Sequence, residues 1–219
     1  MPAKRYTRRP VDFLQRDEIE ALLQAPNPHT QAGRRDRTLL LVAVQTGLRA
    51  SELLQPRCQD VHFGRGAHVR CQGKGRKQRC TPLRQDAAAA LRAWLDERHG
   101  EPAAPVFPNR QGGVLSHDGL AYLLGKHLAV ARQTCPSLQG KRVTPHVLRH
   151  TAAMELLQNG VDRAVIALWL GHESVETTYV YLHADLKLKE AALAKTTPMP
   201  DAPARYCPDD EVLAFLNSL

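Results

Sequence analysis

Ala67-His68-Val69-Arg70-Cys71-Gln72-Gly73-Lys74-Gly75-Arg76-Lys77-Gln78-Arg79-Cys80-Thr81 is the stretch that decides the fold class. Ala67, Val69 and Cys71 alternate with His68, Arg70 and Gln72, the period of two that turns one face of a strand to the core and the other to water. Gly73 to Lys77 is a glycine-punctuated turn, and residues 78–81 return as the partner strand. Elsewhere the apolar spacing is helical. The expectation is therefore an α+β chain, mostly helical, with one small antiparallel β-sheet or hairpin.

Working outward, helices are expected at about residues 17–24, where Asp17 and Glu18 suit the positive N-terminal end, at 35–46 ending before Gly47, and at 49–55 ending before Pro56. Beyond the hairpin they are expected at 85–99, closed by Gly100, and at 116–134, with Ser116 as N-cap. Thr144 and Pro145 open another as cap and first helical residue, and Gly160 lies just past its end. A short helix at 162–170 is closed by Gly171. Ser174 caps the next one, which carries Tyr179 and Tyr181 and bends near Ala184 into a helix over 185–195. Pro198, Pro200 and Pro203 mark a tether to an amphipathic helix at 208–219. The division is a basic arm or linker at 1–10, a main domain at 11–197, and a tether with its terminal helix at 198–219.

The chain has 219 residues, 43% of them hydrophobic, and a formal net charge of +8. That is enough to bury a core and too apolar for intrinsic disorder. The longest apolar run, Leu39-Leu40-Leu41-Val42-Ala43-Val44, falls far short of the roughly 20 residues that span a bilayer. The basic start MPAKRYTRRP has no apolar stretch behind it, so no secretory leader is read and a cytoplasmic protein is expected. Cys58, Cys71, Cys80, Cys135 and Cys207 are odd in number and form no CxxC pair, against a disulfide framework or a zinc ribbon. They read as small hydrophobes. Excess positive charge suits a polyanion, because each neutralised phosphate releases counterions; a charged face is also often merely solvated.

The chemistry concentrates in Pro145-His146-Val147-Leu148-Arg149-His150. His146 and Arg149 project from the same side of a helix near its N-terminus, where dipole, guanidinium and imidazole all favour a phosphate. His146 and His150 also have the spacing of zinc-binding HExxH helices, but the glutamate is missing and Arg149 would set a cation beside the metal, so no metal is expected. In Thr46-Gly47-Leu48-Arg49-Ala50-Ser51-Glu52, Arg49 follows a helix break and Glu52 can fix its rotamer; the alternative is a surface pair worth little. Lys74, between two glycines, suits a reach into a groove or is a solvated hairpin lysine. Leu170-Gly171-His172 and Thr177-Thr178-Tyr179-Val180-Tyr181 follow closely enough to fold back on the His146–Arg149 helix.

TGLRASEL, GKGRKQR, PHVLRHTAA, LWLGHESVETTYVY and the LHA after it, in this order and spacing, resemble the motifs of the tyrosine recombinases, the phage-integrase family. The resemblance runs from about Val11 to Lys195 and implies that family's catalytic domain, which breaks and rejoins DNA without metal, ATP or other cofactor. It implies that Arg49 and Arg149 clamp the scissile phosphate, Lys74 protonates the leaving 5′ oxygen, and His146 and His172 hydrogen-bond the phosphate. Glu52 matches the acidic position that orients the first arginine. Spacing from the LGH motif selects Tyr181 over Tyr179 as the nucleophile that forms a 3′-phosphotyrosyl bond. The free tyrosine hydroxyl, with a pKa of about 10, needs a base and cationic neighbours to attack at neutral pH.

The implied partners are double-stranded DNA and further copies of the chain, a tetramer in synapsis and a monomer or weak oligomer when free, with the 208–219 helix exchanged between subunits. Arg76, Lys77, Arg79, Lys141 and Arg142 are candidate phosphate contacts, with solvated charge as the even alternative. Relatives carry an additional DNA-grasping domain upstream, where only about ten residues stand here. The chain is either a fragment or a minimal enzyme that grips DNA with one domain. Competing readings are a type IB topoisomerase, a catalytically silent DNA-binding relative and a zinc hydrolase.

Overall fold

A computed structural model of the chain describes residues 12–64, 66–72 and 78–171. In chain order these form α1 (Arg16–Gln24), α2 (Gln31–Thr46), α3 (Ala50–Leu54), a 3-10 turn (Cys58–Asp60), β1 (Val61–His62), β2 (His68–Gln72), β3 (Gln78–Pro82), α4 (Gln85–Arg98), α5 (His117–Thr134), a second 3-10 turn (Pro136–Leu138), α6 (Pro145–Gln158) and α7 (Arg163–Leu170). The α+β class is the expected one. The helices and tether expected at 174–219, and the turn at 73–77, lie outside the described residues.

The Leu39–Val44 run explains the centre of the molecule. A helix apolar on every side must be covered on every side, and all six of these residues are buried. α2 packs against α1, α4 and α6, and α1 against α5. Each fully buried leucine contributes about 2 kcal/mol relative to exposure. A second apolar cluster, Ala153, Met154, Leu157, Ile166 and Leu170, joins α6 to α7. Among the described residues, Thr81 Oγ1 and His127 Nδ1 are the buried side-chain polar atoms without a hydrogen-bond partner. Asp36 holds His127 Nε2 at 2.8 Å and the Arg35 guanidinium at 2.6 Å, fixing α5 to α2. Among the described residues no helix is long and apolar enough to cross a membrane.

The sheet is antiparallel, in the order β1-β2-β3. Val69 faces Thr81 and Gln72 faces Gln78, so the hairpin closes in the expected register. Val69 and Cys71 point inward and Gln72 outward, as alternation requires. β1 was not anticipated, since two residues carry no readable period; it adds Val61 opposite Val69.

Two boundaries differ from expectation. α2 starts at Gln31, where the Thr30 hydroxyl caps Gly33 N–H at 3.1 Å. α4 is closed by His99 in the left-handed conformation, φ 49°, and not by Gly100. A Cβ at Gly100 would lie 2.9 Å from Arg98 Cζ, the movable end of a side chain. That guanidinium folds back to donate to the carbonyls of Pro105 and Val106.

Gly47 is the turn on which the site depends. It ends α2 with φ 62°, and a Cβ would meet Leu170 Cδ2 at 2.7 Å and Ala152 Cβ at 3.0 Å. Gly47→Ala therefore adds left-handed strain to a clash between α2, α6 and α7. We expect a loss of about 2–4 kcal/mol in urea denaturation. A loss below about 0.5 kcal/mol, within the range of an ordinary surface substitution, would show that the turn relaxes freely.

Candidate active site

The two arginines singled out in sequence, 100 residues apart, converge on one carboxylate. Arg49 is the N-cap of α3, and Glu52 lies three residues on in the first turn. Glu52 Oε2 accepts from Arg49 N–H at 2.8 Å, and its Oε1 accepts from Arg49 Nη1 at 3.0 Å. Arg149, in α6, approaches the same carboxylate at 4.0 Å. Glu52 and the Arg149 side chain are almost wholly buried, at 1% and 3% exposure, whereas Arg49 is 40% exposed. Removing one member of a buried ion cluster leaves an uncompensated charge, at a cost of about 3–5 kcal/mol.

Backbone carbonyls complete the clamp. Arg149 donates Nη1 to Gly47 O at 2.8 Å and Nη2 to Leu170 O at 2.7 Å. Arg49 Nη2 donates to Gly171 O at 3.2 Å. The carbonyl-rich C-terminal ends of α2 and α7 thus stabilise the cations, as helix dipoles favour. The last described residue, Gly171, immediately precedes His172.

An open pocket of about 460 Å³ is lined by Arg49, Ala50, Ser51, His117, Thr144, Pro145, His146 and Arg149. Apart from the two arginine side chains, its wall is made of helix beginnings. Residues 50 and 51 start α3, His117 is the first residue of α5, and Thr144 caps α6 by accepting from Val147 N–H at 3.3 Å. Helix N-termini present unsatisfied N–H groups and positive dipole ends. Together with two guanidiniums they make a site for an anion of phosphate size.

His146 contributes an imidazole to this wall. Its pKa is held below the usual histidine value, first by burial of part of the ring, then by the positive charges of Arg149 and Arg49. Burial and the neighbouring cations thus disfavour the protonated form of the ring. His150 packs edge-on against it, centroids 4.3 Å apart. No group of three or more His, Cys, Asp and Glu side chains placed to hold a metal ion occurs among the described residues.

Arg49, Glu52, His146 and Arg149 are therefore brought together. Lys74, Arg76, Lys77, His172 and Tyr181 lie outside the described residues. Arg79 is described only as backbone in β3, paired with Cys71. Arg142 is exposed. Lys141 has a partner within the fold: its Nζ donates to Glu18 Oε2 at 2.6 Å and to Phe13 O at 3.1 Å. His117 was missed. Nothing distinguishes it among ten histidines except its position just after the Ser116 cap.

The family model described as "Phage integrase family" matches residues 12–187. The chain belongs to that family. It is 58% identical over 219 residues to y4rC of Sinorhizobium fredii, which bears an integrase/recombinase name, covering all of this chain and 66% of that protein. It is 34% identical over 188 residues to the tyrosine recombinase XerC of Pelobacter propionicus, covering 85% of this chain and 60% of that one. The chain thus spans less than two thirds of the length of each. Among solved structures, the XerH site-specific recombinase bound to its palindromic difH substrate in a post-cleavage complex superposes with a TM-score of 0.71. That match has 26% identity and covers 85% of this chain and 54% of the other. The fold is that of a tyrosine recombinase catalytic domain.

The depressed His146 pKa can be tested directly. An NMR titration of its ring should give a midpoint below about 6.5, and Arg49→Ala should move it upward by removing a repelling charge. The unfolded chain binds this proton more readily, so the residue's contribution to stability is present above about pH 6.5 and is lost as pH falls below it. A midpoint at or above the ordinary value would contradict the electrostatic account.

Proposed function

We propose that the chain is the catalytic part of a site-specific DNA recombinase or integrase, acting in recombination, integration or transposition of a mobile element. Tyr181 attacks a backbone phosphate to leave a 3′-phosphotyrosyl bond and a free 5′ hydroxyl. Arg49 and Arg149 neutralise the non-bridging oxygens and Glu52 holds Arg49. His146 and His172 hydrogen-bond the phosphate, with His146 placed to take the tyrosine proton, and Lys74 protonates the leaving oxygen. The observation that carries this reading is the convergence of Arg49, Arg149 and His146 on one pocket walled by helix N-termini. Preorganised donors around a phosphoryl transition state are each worth on the order of 10²–10³ in rate, so cationic side chains can fill the role a metal ion fills elsewhere.

Double-stranded DNA is the substrate and a second partner is the chain itself, in a tetramer when two sites are joined. The segment at 198–219 passes to a neighbouring subunit there. Lys141 and exposed Arg142, with Arg76, Lys77 and Arg79, supply phosphate contacts, and the protein works in the cytoplasm at the nucleoid. Relaxation of supercoils without strand exchange would favour the type IB topoisomerase alternative.

The test uses a pool of nicked duplexes with randomised sites, which trap a covalent adduct because the cleaved fragment diffuses away. Peptide mapping should place the DNA on Tyr181, and Tyr181→Phe should abolish the adduct. EDTA should leave its yield unchanged. Arg149→Ala should lower the cleavage rate by at least about 10² while weakening duplex binding far less. An adduct that persists in Tyr181→Phe would overturn the assignment.

A further inference from the structure

Trp169 lies one residue before the carbonyls that hold the arginines. Its indole N–H donates to Thr46 O at 3.0 Å. Thr46 is the last residue of α2, fully buried, and its carbonyl is among those a helix end leaves without an intrahelical partner. The next carbonyl along, Gly47 O, receives Arg149 Nη1, while the two carbonyls after Trp169, Leu170 O and Gly171 O, receive Arg149 Nη2 and Arg49 Nη2. The indole bond therefore rivets together the two helix ends whose carbonyls aim both guanidiniums.

A guanidinium is a planar fork, and fixing two of its nitrogens on two acceptors fixes its plane. For Arg149 those acceptors belong to different helices, so the direction of its remaining edge depends on how α2 and α7 are held to each other. The ring of Trp169 also packs, with Phe13, Leu156 and Val161, against the apolar cluster of α6 and α7. Phenylalanine would retain an aromatic ring without the N–H.

We propose that Trp169 is a positioning residue: through Thr46 O it sets the orientation of Arg149 and Arg49 toward the non-bridging oxygens of the scissile phosphate. This rests on the reading of the two arginines as the phosphate clamp. The role is orientational, since the indole carries no charge and the carbonyls supply no proton.

The experiment compares the wild-type chain with Trp169→Phe in single-turnover adduct formation on a duplex recovered from the randomised pool. Each nicked duplex is made with one or the other phosphorothioate diastereomer at the scissile position. Trp169→Phe is expected to slow adduct formation about tenfold, the order expected for one lost net hydrogen bond, with duplex affinity within about twofold. The decisive readout is the ratio of rates for the two diastereomers. Arginines aimed at particular oxygens give the wild type a clear preference, which should shrink at least threefold in the variant. A general loss of packing would slow both diastereomers alike. An unchanged ratio, or a wild-type ratio near one, would overturn the proposal. If Trp169→Phe melts early, the benzothiophene analogue of tryptophan, which replaces N–H by sulfur at nearly constant shape, carries the same comparison. No adduct from the wild type would instead defeat the phosphate-clamp reading, and this inference with it; a wild-type adduct matched in rate and ratio by the variant defeats this inference alone.

Discussion

Everything at this site depends on one buried carboxylate. Glu52 is 1% exposed, accepts from both the backbone and the side chain of Arg49, and lies 4.0 Å from Arg149. Arg149, at 3% exposure, could not be held out of water beside a second cation without a counter-charge. The carboxylate sits in the first turn of a five-residue helix, where the N-terminal backbone N–H groups also favour negative charge. The Gly47 turn, the short α3 and the α6 helix start are the scaffold that delivers Glu52, Arg49 and Arg149 to the same point.

Two further charged networks fasten the helices that carry this scaffold. Glu18 receives Lys141 Nζ, the Ser137 hydroxyl and Gln15 N–H, and its pKa falls below the usual carboxylate value because these bonds outweigh the opposing, largest single effect of burial. It ties α1 to the segment leading into α6. Leu14 N–H adds a bond to Thr151 Oγ1 inside α6 at 3.0 Å. On the other side, Asp36 and His127 pin α5 to α2, which fixes where His117 stands on the pocket rim. Charge in this protein thus fastens helices as well as lining the pocket. Lys141, a candidate phosphate contact in sequence, also has a partner within the fold 123 positions away.

The strong local signals were legible in sequence. The period of two over 67–72, the Thr144-Pro145 helix start and the Gly47 and Gly171 helix ends all appear where the pattern put them, because backbone sterics and capping are local. The association of Arg49, Glu52, His146 and Arg149 was legible as motif order, though not as geometry. What escaped were features set by tertiary contact. His99, a residue without glycine's freedom, takes the left-handed cap one position before the glycine that the sequence offers. β1 exists only because β2 lies beside it, and His117 matters only because α5 starts at the same pocket as α3 and α6. The indole of Trp169 carried no sequence signal beyond that of an apolar residue.

The near-complete burial of Arg149 and Glu52 has a consequence for stability. Buried ion clusters are commonly less stable than well-packed apolar side chains of similar volume, even though losing one member alone is damaging. Folding stability by itself would therefore tolerate an apolar pair of similar volume in place of Glu52 and Arg149. That these positions carry charge instead is in keeping with a role at the pocket that Arg149 lines.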